Sequence, residues 1–211
     1  MRKRNSAKAL LTAIVVLAVL GILLDRSQNG KAASVDNDSE SKIKRGLEIA
    51  PVTLNLKGKN RALVGLGSYI VNATGDCNGC HHATLSPSSP YAPGHDPFAG
   101  EPKQVEQGGY LAGGTQLFGP FFIPRNLTPD KTGKPEGGAS FEEFVEIMRT
   151  GVDPDHAHPQ FGPLLQVMPW PQFQDMTDND LRAIYEYLSA IPCIEGDPGL
   201  PNPRPLGTRC Q

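Results

Sequence analysis

The most informative residues of the chain are Cys77-Asn78-Gly79-Cys80-His81, which have the spacing C-x-x-C-H. Two thiols separated by two residues can each form a thioether with one vinyl group of a haem, and the adjacent imidazole can then bind the iron. The motif therefore predicts one covalently bound haem c, held by Cys77 and Cys80, with His81 as the proximal iron ligand.

Two other kinds of site use the C-x-x-C spacing. A redox dithiol requires a thioredoxin-like βαβ context, whereas the residues that follow His81 have the pattern of a loop. A zinc site requires further ligands, and the other two cysteines, Cys193 and Cys210, do not form a second C-x-x-C pair. The sequence favours haem attachment over both alternatives and over a chance occurrence of the motif.

The N-terminus has the pattern of an export signal. Arg2, Lys3, Arg4 and Lys8 precede an uncharged apolar run at residues 9–24. This order predicts a signal anchor or a cleaved signal peptide over residues 1–24, and an anchor is favoured because no strong cleavage site follows. Both alternatives export the rest of the chain and predict the periplasmic side of a bacterial inner membrane, where haem can be attached to thiols.

Charge and composition limit the classes of partner. The net charge is −2, but residues 1–33 carry six basic residues and one acidic residue, so the exported part is acidic. An acidic surface argues against a nucleic acid partner. The 20 prolines and 23 glycines predict long, turn-rich loops around a modest core, against which a haem could pack.

Helical patterns occur over residues 61–71, 141–149 and 178–189. A Ser N-cap at Ser140, with Glu143 three residues later, opens the second helix, and Thr177 caps the third. Residues 85–135 have no convincing helix pattern, and a loop this long is expected to be functional or to wrap around a haem edge.

This order of elements predicts an all-α fold wrapped around one covalent haem. We expect residues 25–60 to form a tether and N-terminal extension, residues 61–192 to form the haem domain, and residues 193–211 to form a Pro-rich tail.

Met168 is the candidate for the second iron ligand. It lies directly before Pro169 in a loop stiffened by two prolines, because proline restricts its predecessor to an extended backbone. Met148 and Met176 are better explained by packing, as core filling and as part of a hydrophobic staple. Ligation by His and Met closes both axial positions of the iron, which suits electron transfer better than catalysis.

The chain resembles the class I-like monohaem cytochromes c, and among them the cytochrome c domains of cytochrome subunits of bacterial membrane dehydrogenases. The resemblance covers roughly residues 61–192. Besides the haem motif it rests on Gly67-Ser68-Tyr69-Ile70-Val71, Tyr110-Leu111-Ala112-Gly113-Gly114, Arg125-Asn126-Leu127-Thr128-Pro129-Asp130, Met148-Arg149-Thr150-Gly151, Met168-Pro169-Trp170 and residues 176–188.

The resemblance implies a cytochrome c fold with the haem contacts already given for the motif and with Met168 as the distal ligand. It also implies that the first and last helices cross near Gly65 or Gly67 and the aromatic face around Tyr185. Three further residues are expected to lie near the haem propionates, namely Trp170, Arg125 and Asn126.

The resembling sequences often have proline where Cys193 stands, so Cys193 and Cys210 are an addition of this chain. In an exported protein whose other two cysteines hold haem, we expect these two to form a disulfide that pins the Pro-rich tail. Two free thiols are the alternative.

The expected function is electron transfer, without bond chemistry by the chain itself. The donor would be a membrane-bound or periplasmic dehydrogenase or a quinol-oxidising complex, and the acceptor an oxidase or a soluble carrier of the respiratory chain. Two alternatives differ in class. One is a haem enzyme or small-ligand sensor with an open or labile distal position, and the other is a subunit that mainly binds a larger complex.

Overall fold

The computed structural model describes residues 37–83, 89–114, 122–154, 157–158, 160–195 and 210. The chain divides into two units, with the boundary between Ser41 and Lys42. Of the first unit, residues 37–41 are described, and they are helical. The signal anchor predicted at residues 9–24 lies outside the described residues. Within the described ranges, no helix combines the length and apolar character needed to cross a membrane.

The second unit consists of helices joined by long loops. The helices are α1 (residues 42–49), α2 (Arg61–Tyr69), α3 (Cys77–His81), α4 (Phe141–Thr150), α5 (Trp170–Phe173) and α6 (Asp178–Leu188). A π-helical turn, Ile70–Thr74, continues α2, and two short 3₁₀ turns lie at Pro97–Ala99 and Gln107–Gly109. The part of the chain that the structure describes has three isolated β-bridges and no strand, which is consistent with the all-α class.

Side-chain caps determine where α4 and α6 begin. Ser140 Oγ accepts a hydrogen bond from the Glu143 N–H at 3.2 Å, and the Glu143 carboxylate accepts one from the Ser140 N–H at 2.7 Å. The capping box predicted for α4 is therefore confirmed. Thr177 Oγ1 accepts from the Asp180 N–H at 3.1 Å, which confirms the predicted cap of α6.

Helix α2 contacts α6 through Gly67 and α1 through Gly65. A Cβ atom at Gly67 would lie 1.9 Å from the Ala183 carbonyl oxygen and 2.8 Å from Tyr187 Cβ. A Cβ atom at Gly65 would lie 2.6 Å from the Ile43 carbonyl oxygen. The predicted crossing of the first and last helices of the haem domain therefore occurs at Gly67, because Gly65 faces a different helix.

The aromatic residue at this crossing is Tyr187, whereas the sequence analysis named Tyr185. Tyr185 packs on the other side of α6, with its ring centroid 5.4 Å from that of Phe141 and 5.7 Å from that of Phe144. Its hydroxyl donates to the Ala139 carbonyl at 2.9 Å. Helix α6 is therefore covered by α2 on the side of Tyr187 and by α4 on the side of Tyr185.

Helix α1 was not predicted, since its residues were assigned to the tether and N-terminal extension. It approaches α2 closely at Gly46, where a Cβ atom would lie 1.9 Å from the Gly65 carbonyl oxygen. The Gly46 carbonyl also accepts a 2.6 Å hydrogen bond from the buried hydroxyl of Ser68. The core lies where α2, α4, α6 and the segment around Leu111 meet, and its fully buried members include Val64, Val71, Tyr110, Leu111, Leu181, Tyr187 and Leu188.

Candidate haem attachment site

The C-x-x-C-H motif forms a short helix of its own, α3, which follows the π-helical turn at the end of α2. Both motif cysteines are free thiols; Cys77 packs against the core and Cys80 is exposed. Residues three and four positions apart lie on one face of a helix, so Cys77, Cys80 and His81 share one side of α3. One helical turn therefore presents two thiols and an imidazole together.

The two residues between the cysteines hold this turn in place. Asn78 is buried, and its side-chain carbonyl accepts a 2.9 Å hydrogen bond from the Leu111 N–H. A Cβ atom at Gly79 would lie 2.6 Å from a carboxylate oxygen of Asp76, the residue before the helix, whose φ of 46° is left-handed. The contacts of Asn78 and Gly79 cannot be predicted from the sequence, because the C-x-x-C spacing alone does not specify them.

The imidazole of His81 is oriented by a main-chain acceptor. Its Nδ1 atom lies 2.9 Å from the carbonyl oxygen of Arg125. A carbonyl can only accept, so Nδ1 carries the hydrogen and Nε2 carries the lone pair. Burial lowers the pKa of His81 to about 4, which keeps the ring neutral near pH 7. A neutral imidazole with its Nδ1–H bound to a carbonyl is the form that binds a metal through Nε2.

The thiols do not have the environment of a redox dithiol. Burial raises the pKa of Cys77 to about 12, and the nearby carboxylate of Asp76 adds to the effect. Burial also raises the pKa of Cys80, again with a contribution from Asp76. Catalytic C-x-x-C pairs have lowered thiol pKa values, because the thiolate is the reactive species. The electrostatics therefore argue against the dithiol alternative.

Part of the long loop forms main-chain hydrogen bonds that hold the C-x-x-C-H motif. The His81 carbonyl accepts a 2.7 Å hydrogen bond from the Gly113 N–H, and the Leu111 carbonyl accepts one from the Leu127 N–H at 2.9 Å. Gly113 has a φ of 70°, and a Cβ atom there would lie 2.4 Å from the Arg125 carbonyl carbon. Only glycine lets the backbone pass between α3 and the Arg125 segment at this point.

Met168 is half-buried and packs against the core directly before α5. Its carbonyl accepts a 2.8 Å hydrogen bond from the Trp170 N–H, which makes a tight turn around Pro169. The loop that leads to Met168 is attached to the end of α4, because the Leu165 N–H donates to the Gly151 carbonyl at 2.8 Å. By comparison, Met148 is buried on the inner face of α4.

The polar atoms of Trp170 and Asn126 bind other parts of the protein. Trp170 Nε1 donates to the Leu165 carbonyl at 3.2 Å, and its ring covers Gly151 so closely that a Cβ atom there would lie 2.4 Å from the ring. The Asn126 Nδ2 atom donates to the Ile194 carbonyl at 2.8 Å, and its Oδ1 atom accepts from Thr128. Propionate contact by these residues stays a prediction.

Arg125, the third residue expected near the propionates, has its guanidinium bound by two carboxylates. Its Nη1 atom lies 3.0 Å from Glu136 Oε2, and its Nη2 atom lies 2.5 Å from Asp153 Oδ2. The functional contact that sequence reasoning does not predict is made by the main chain of Arg125, whose carbonyl oxygen accepts a hydrogen bond from His81. No sequence signal marks such a contact, since every residue type has a carbonyl.

The structure joins Cys193 to Cys210 by a disulfide, with the two Cα atoms 5.7 Å apart. The neighbouring Ile194 N–H donates to Thr128 Oγ1 at 3.1 Å, so the start of the tail is also held by the segment that follows Arg125. Cys210 donates its N–H to Glu195 Oε1 at 2.7 Å.

The donor set of α3 fits a covalently attached haem. Two free thiols and a neutral imidazole, whose Nδ1–H is hydrogen-bonded to a carbonyl, lie on one helical face. Two thioether bonds and one axial nitrogen ligand require this arrangement. The half-buried thioether of Met168 supplies a second candidate ligand of a type that haem iron accepts.

Comparison with known proteins agrees with this chemistry. The chain is 29% identical over 154 residues to the gluconate 2-dehydrogenase cytochrome c subunit of Pantoea cypripedii, a match that covers 71% of this chain and 28% of that protein. It is 31% identical over 128 residues to the cytochrome c subunit of the quinone-dependent alcohol dehydrogenase of Gluconacetobacter polyoxogenes, covering 60% of this chain and 21% of that protein.

A similar match, 28% identical over 131 residues, is to the fructose dehydrogenase cytochrome subunit of Gluconobacter japonicus; it covers 61% of this chain and 21% of that subunit. The chain thus spans between 21% and 28% of the length of these relatives. No protein-family model matches it. By sequence, this chain is a relative of the cytochrome c subunits of bacterial dehydrogenases.

Proposed function

We propose that this chain is a c-type cytochrome that carries single electrons and does no bond chemistry of its own. The observation that carries the proposal is the state of His81. Its ring is neutral, its Nδ1–H is bound by the Arg125 carbonyl, and it lies on the same helical face as two free thiols. A C-x-x-C-H sequence that arose only by chance would not need the hydrogen bond between His81 and the Arg125 carbonyl. This hydrogen bond leaves Nε2 as the metal-binding atom.

Each residue of the site has a defined task in this proposal. Cys77 and Cys80 would hold the haem by thioethers, and His81 and Met168 would bind the iron. The bound haem supplies a reversible one-electron change at iron, while the protein supplies orientation and electrostatics. An iron bound by both of these protein ligands would have no open position for a substrate.

The names of the relatives support a dehydrogenase as a partner. Those proteins are cytochrome subunits of dehydrogenases for gluconate, alcohol and fructose. We propose that this chain likewise takes electrons from a dehydrogenase and passes them to an oxidase or a soluble carrier. Its location would be the periplasmic side of the inner membrane, with residues 9–24 as an anchor.

Optical spectroscopy of the purified full-length chain tests the ligation. We expect a low-spin spectrum in both redox states and a methionine–iron charge-transfer band in the oxidised state. Met168→Ala should remove that band and allow the reduced haem to bind carbon monoxide, whereas Met148→Leu, at a buried core position, should leave both properties unchanged.

The contradicting outcome is a wild-type protein whose reduced haem is high-spin and binds carbon monoxide without mutation. That result would favour the ligand sensor or haem enzyme, because an open coordination position is what those functions require.

A further inference from the structure

Arg125 forms a buried cluster of three charges with Glu136 and Asp153. The exposed fractions of the three side chains are 13%, 7% and 5%, so the ions are largely withdrawn from water. Buried ion pairs are a poor source of stability, because the loss of hydration offsets most of the attraction between the charges. A cluster of one cation and two carboxylates in such a place therefore suggests a purpose other than stability.

The backbone at Glu136 supports this view. Glu136 has a φ of 55°, a left-handed conformation that only glycine adopts without strain, and the two residues that follow it are glycines. A glycine would be less strained at this position. A charged residue there indicates that its carboxylate is needed beside Arg125.

The ion pairs of Arg125 connect the chain segments that hold the two candidate iron ligands, His81 and Met168. Arg125 is bound to the proximal side, because its carbonyl accepts the hydrogen bond from His81. Asp153 belongs to the distal side, since it follows α4 and its N–H donates to the Pro163 carbonyl at 2.8 Å, in the loop that leads to Met168. The guanidinium thus connects the segment that holds one candidate ligand with the segment that carries the other.

We propose that Arg125, through its ion pairs with Glu136 and Asp153, is a positioning residue that keeps the His81 and Met168 segments in register and biases the haem toward its oxidised form by the net negative charge of the cluster. The proposal rests on the proposed function, because it presupposes a haem bound to His81. Arginine suits this task because its planar fork can bind two carboxylates at once, which lysine cannot do with the same geometry.

The electrostatic part predicts shifts of opposite sign. Replacing Asp153 by Asn, or Glu136 by Gln, removes one negative charge from the cluster, which favours the reduced iron and should raise the reduction potential. Replacing Arg125 by Gln removes the positive charge and leaves two carboxylates, which should lower it. The double variant Arg125→Gln/Asp153→Asn should have a potential between those of the two single variants.

The experiment measures the reduction potential, and the temperature at which the methionine–iron charge-transfer band disappears, in the haem-loaded full-length chain. Arg125→Gln should lose the band at a lower temperature than wild type. In Arg125→Lys, the reduction potential should return closer to the wild-type value than the temperature at which the band disappears. Arg45→Gln is the matched control, because Arg45 forms its ion pair with the exposed Glu48 within α1. Both readouts of this control should stay at wild-type values.

The outcome that would overturn the proposal is a set of variants that unfold at lower temperature with no change in potential, or with shifts of the same sign. A fall in potential in Arg125→Gln, with Asp153→Asn and Glu136→Gln unchanged, would also overturn it and would point to a propionate as the partner of Arg125. If Arg125→Gln does not fold, the reduction potentials of Asp153→Asn and Glu136→Gln still test the proposal, because both are expected to rise. A wild-type chain without low-spin haem would instead contradict the proposed function.

Discussion

Tyr110 and Tyr187 share a 2.8 Å hydrogen bond between their hydroxyl oxygens, although they lie in the long loop and in the last helix. Both side chains are buried. Asn72, in the π-helical turn before the haem motif, accepts from the Tyr110 hydroxyl at 2.5 Å and donates to the Tyr187 hydroxyl at 3.1 Å. The three residues therefore connect the loop, the last helix and the approach to α3 through polar atoms inside the core.

Replacing either tyrosine by phenylalanine should destabilise the protein. Tyr187→Phe removes one hydroxyl and leaves the Asn72 amide and the Tyr110 hydroxyl with a partner missing, at an expected cost of about 1–3 kcal/mol in the free energy of unfolding. Denaturant unfolding of both single variants and the double variant measures the coupling. If the two effects simply add, the hydrogen bond between the hydroxyls does not contribute as argued here.

Gly67→Ala should destabilise the protein by about 1–3 kcal/mol, because the new methyl group would overlap the Ala183 carbonyl and force α2 and α6 apart. Gly108→Ala is a suitable control, since the nearest atom to its Cβ would be the end of the flexible Glu106 side chain, at 3.3 Å. Thermal unfolding of both variants gives the comparison. Equal stability of the two variants would mean that the crossing tolerates a methyl group.

The sequence could predict the grouping of Cys77, Cys80 and His81, and the helix caps, better than the packing. The motif and the capping box are local patterns in which residue types and spacing define the contacts. The roles of Gly65, Gly67, Tyr185 and Tyr187 depend on which helix lies beside which face, and several arrangements fit one sequence. The support of His81 by the Arg125 carbonyl was beyond sequence reasoning, because it joins main chain and side chain across 44 positions.

Ser140→Ala should lower the free energy of unfolding by about 1 kcal/mol at neutral pH, through loss of the N-cap of α4. The hydrogen bonds from the Ser140 N–H and hydroxyl hold the pKa of Glu143 below its usual range. A carboxyl whose pKa is lower in the folded state stabilises the fold above its unfolded pKa, and this contribution is lost as the pH falls through the folded pKa.

The stability difference between wild type and Ser140→Ala should therefore become smaller as the pH is lowered through the range in which Glu143 binds a proton. Chemical denaturation over a pH series measures it. A difference that stays constant or grows toward acid pH would show that Glu143 does not act through the cap.

The double variant Cys193→Ser/Cys210→Ser should lose about 3 kcal/mol of stability, as expected from chain entropy for a loop that spans 17 positions. Unfolding of the wild type with and without reductant provides an independent check, because the haem thioethers are not disulfides and should survive it. If reductant and the double substitution both leave the stability unchanged, the bridge does not restrain the unfolded chain as assumed.

Intact-protein mass spectrometry after denaturation shows whether Cys77 and Cys80 hold a haem c. The full chain, produced in a host that exports and matures c-type cytochromes, should keep the mass of one haem when unfolded. Cys77→Ser/Cys80→Ser should carry none, while Cys193→Ser/Cys210→Ser should still carry one. A wild-type chain that has the mass of the polypeptide alone under these conditions would contradict the claim.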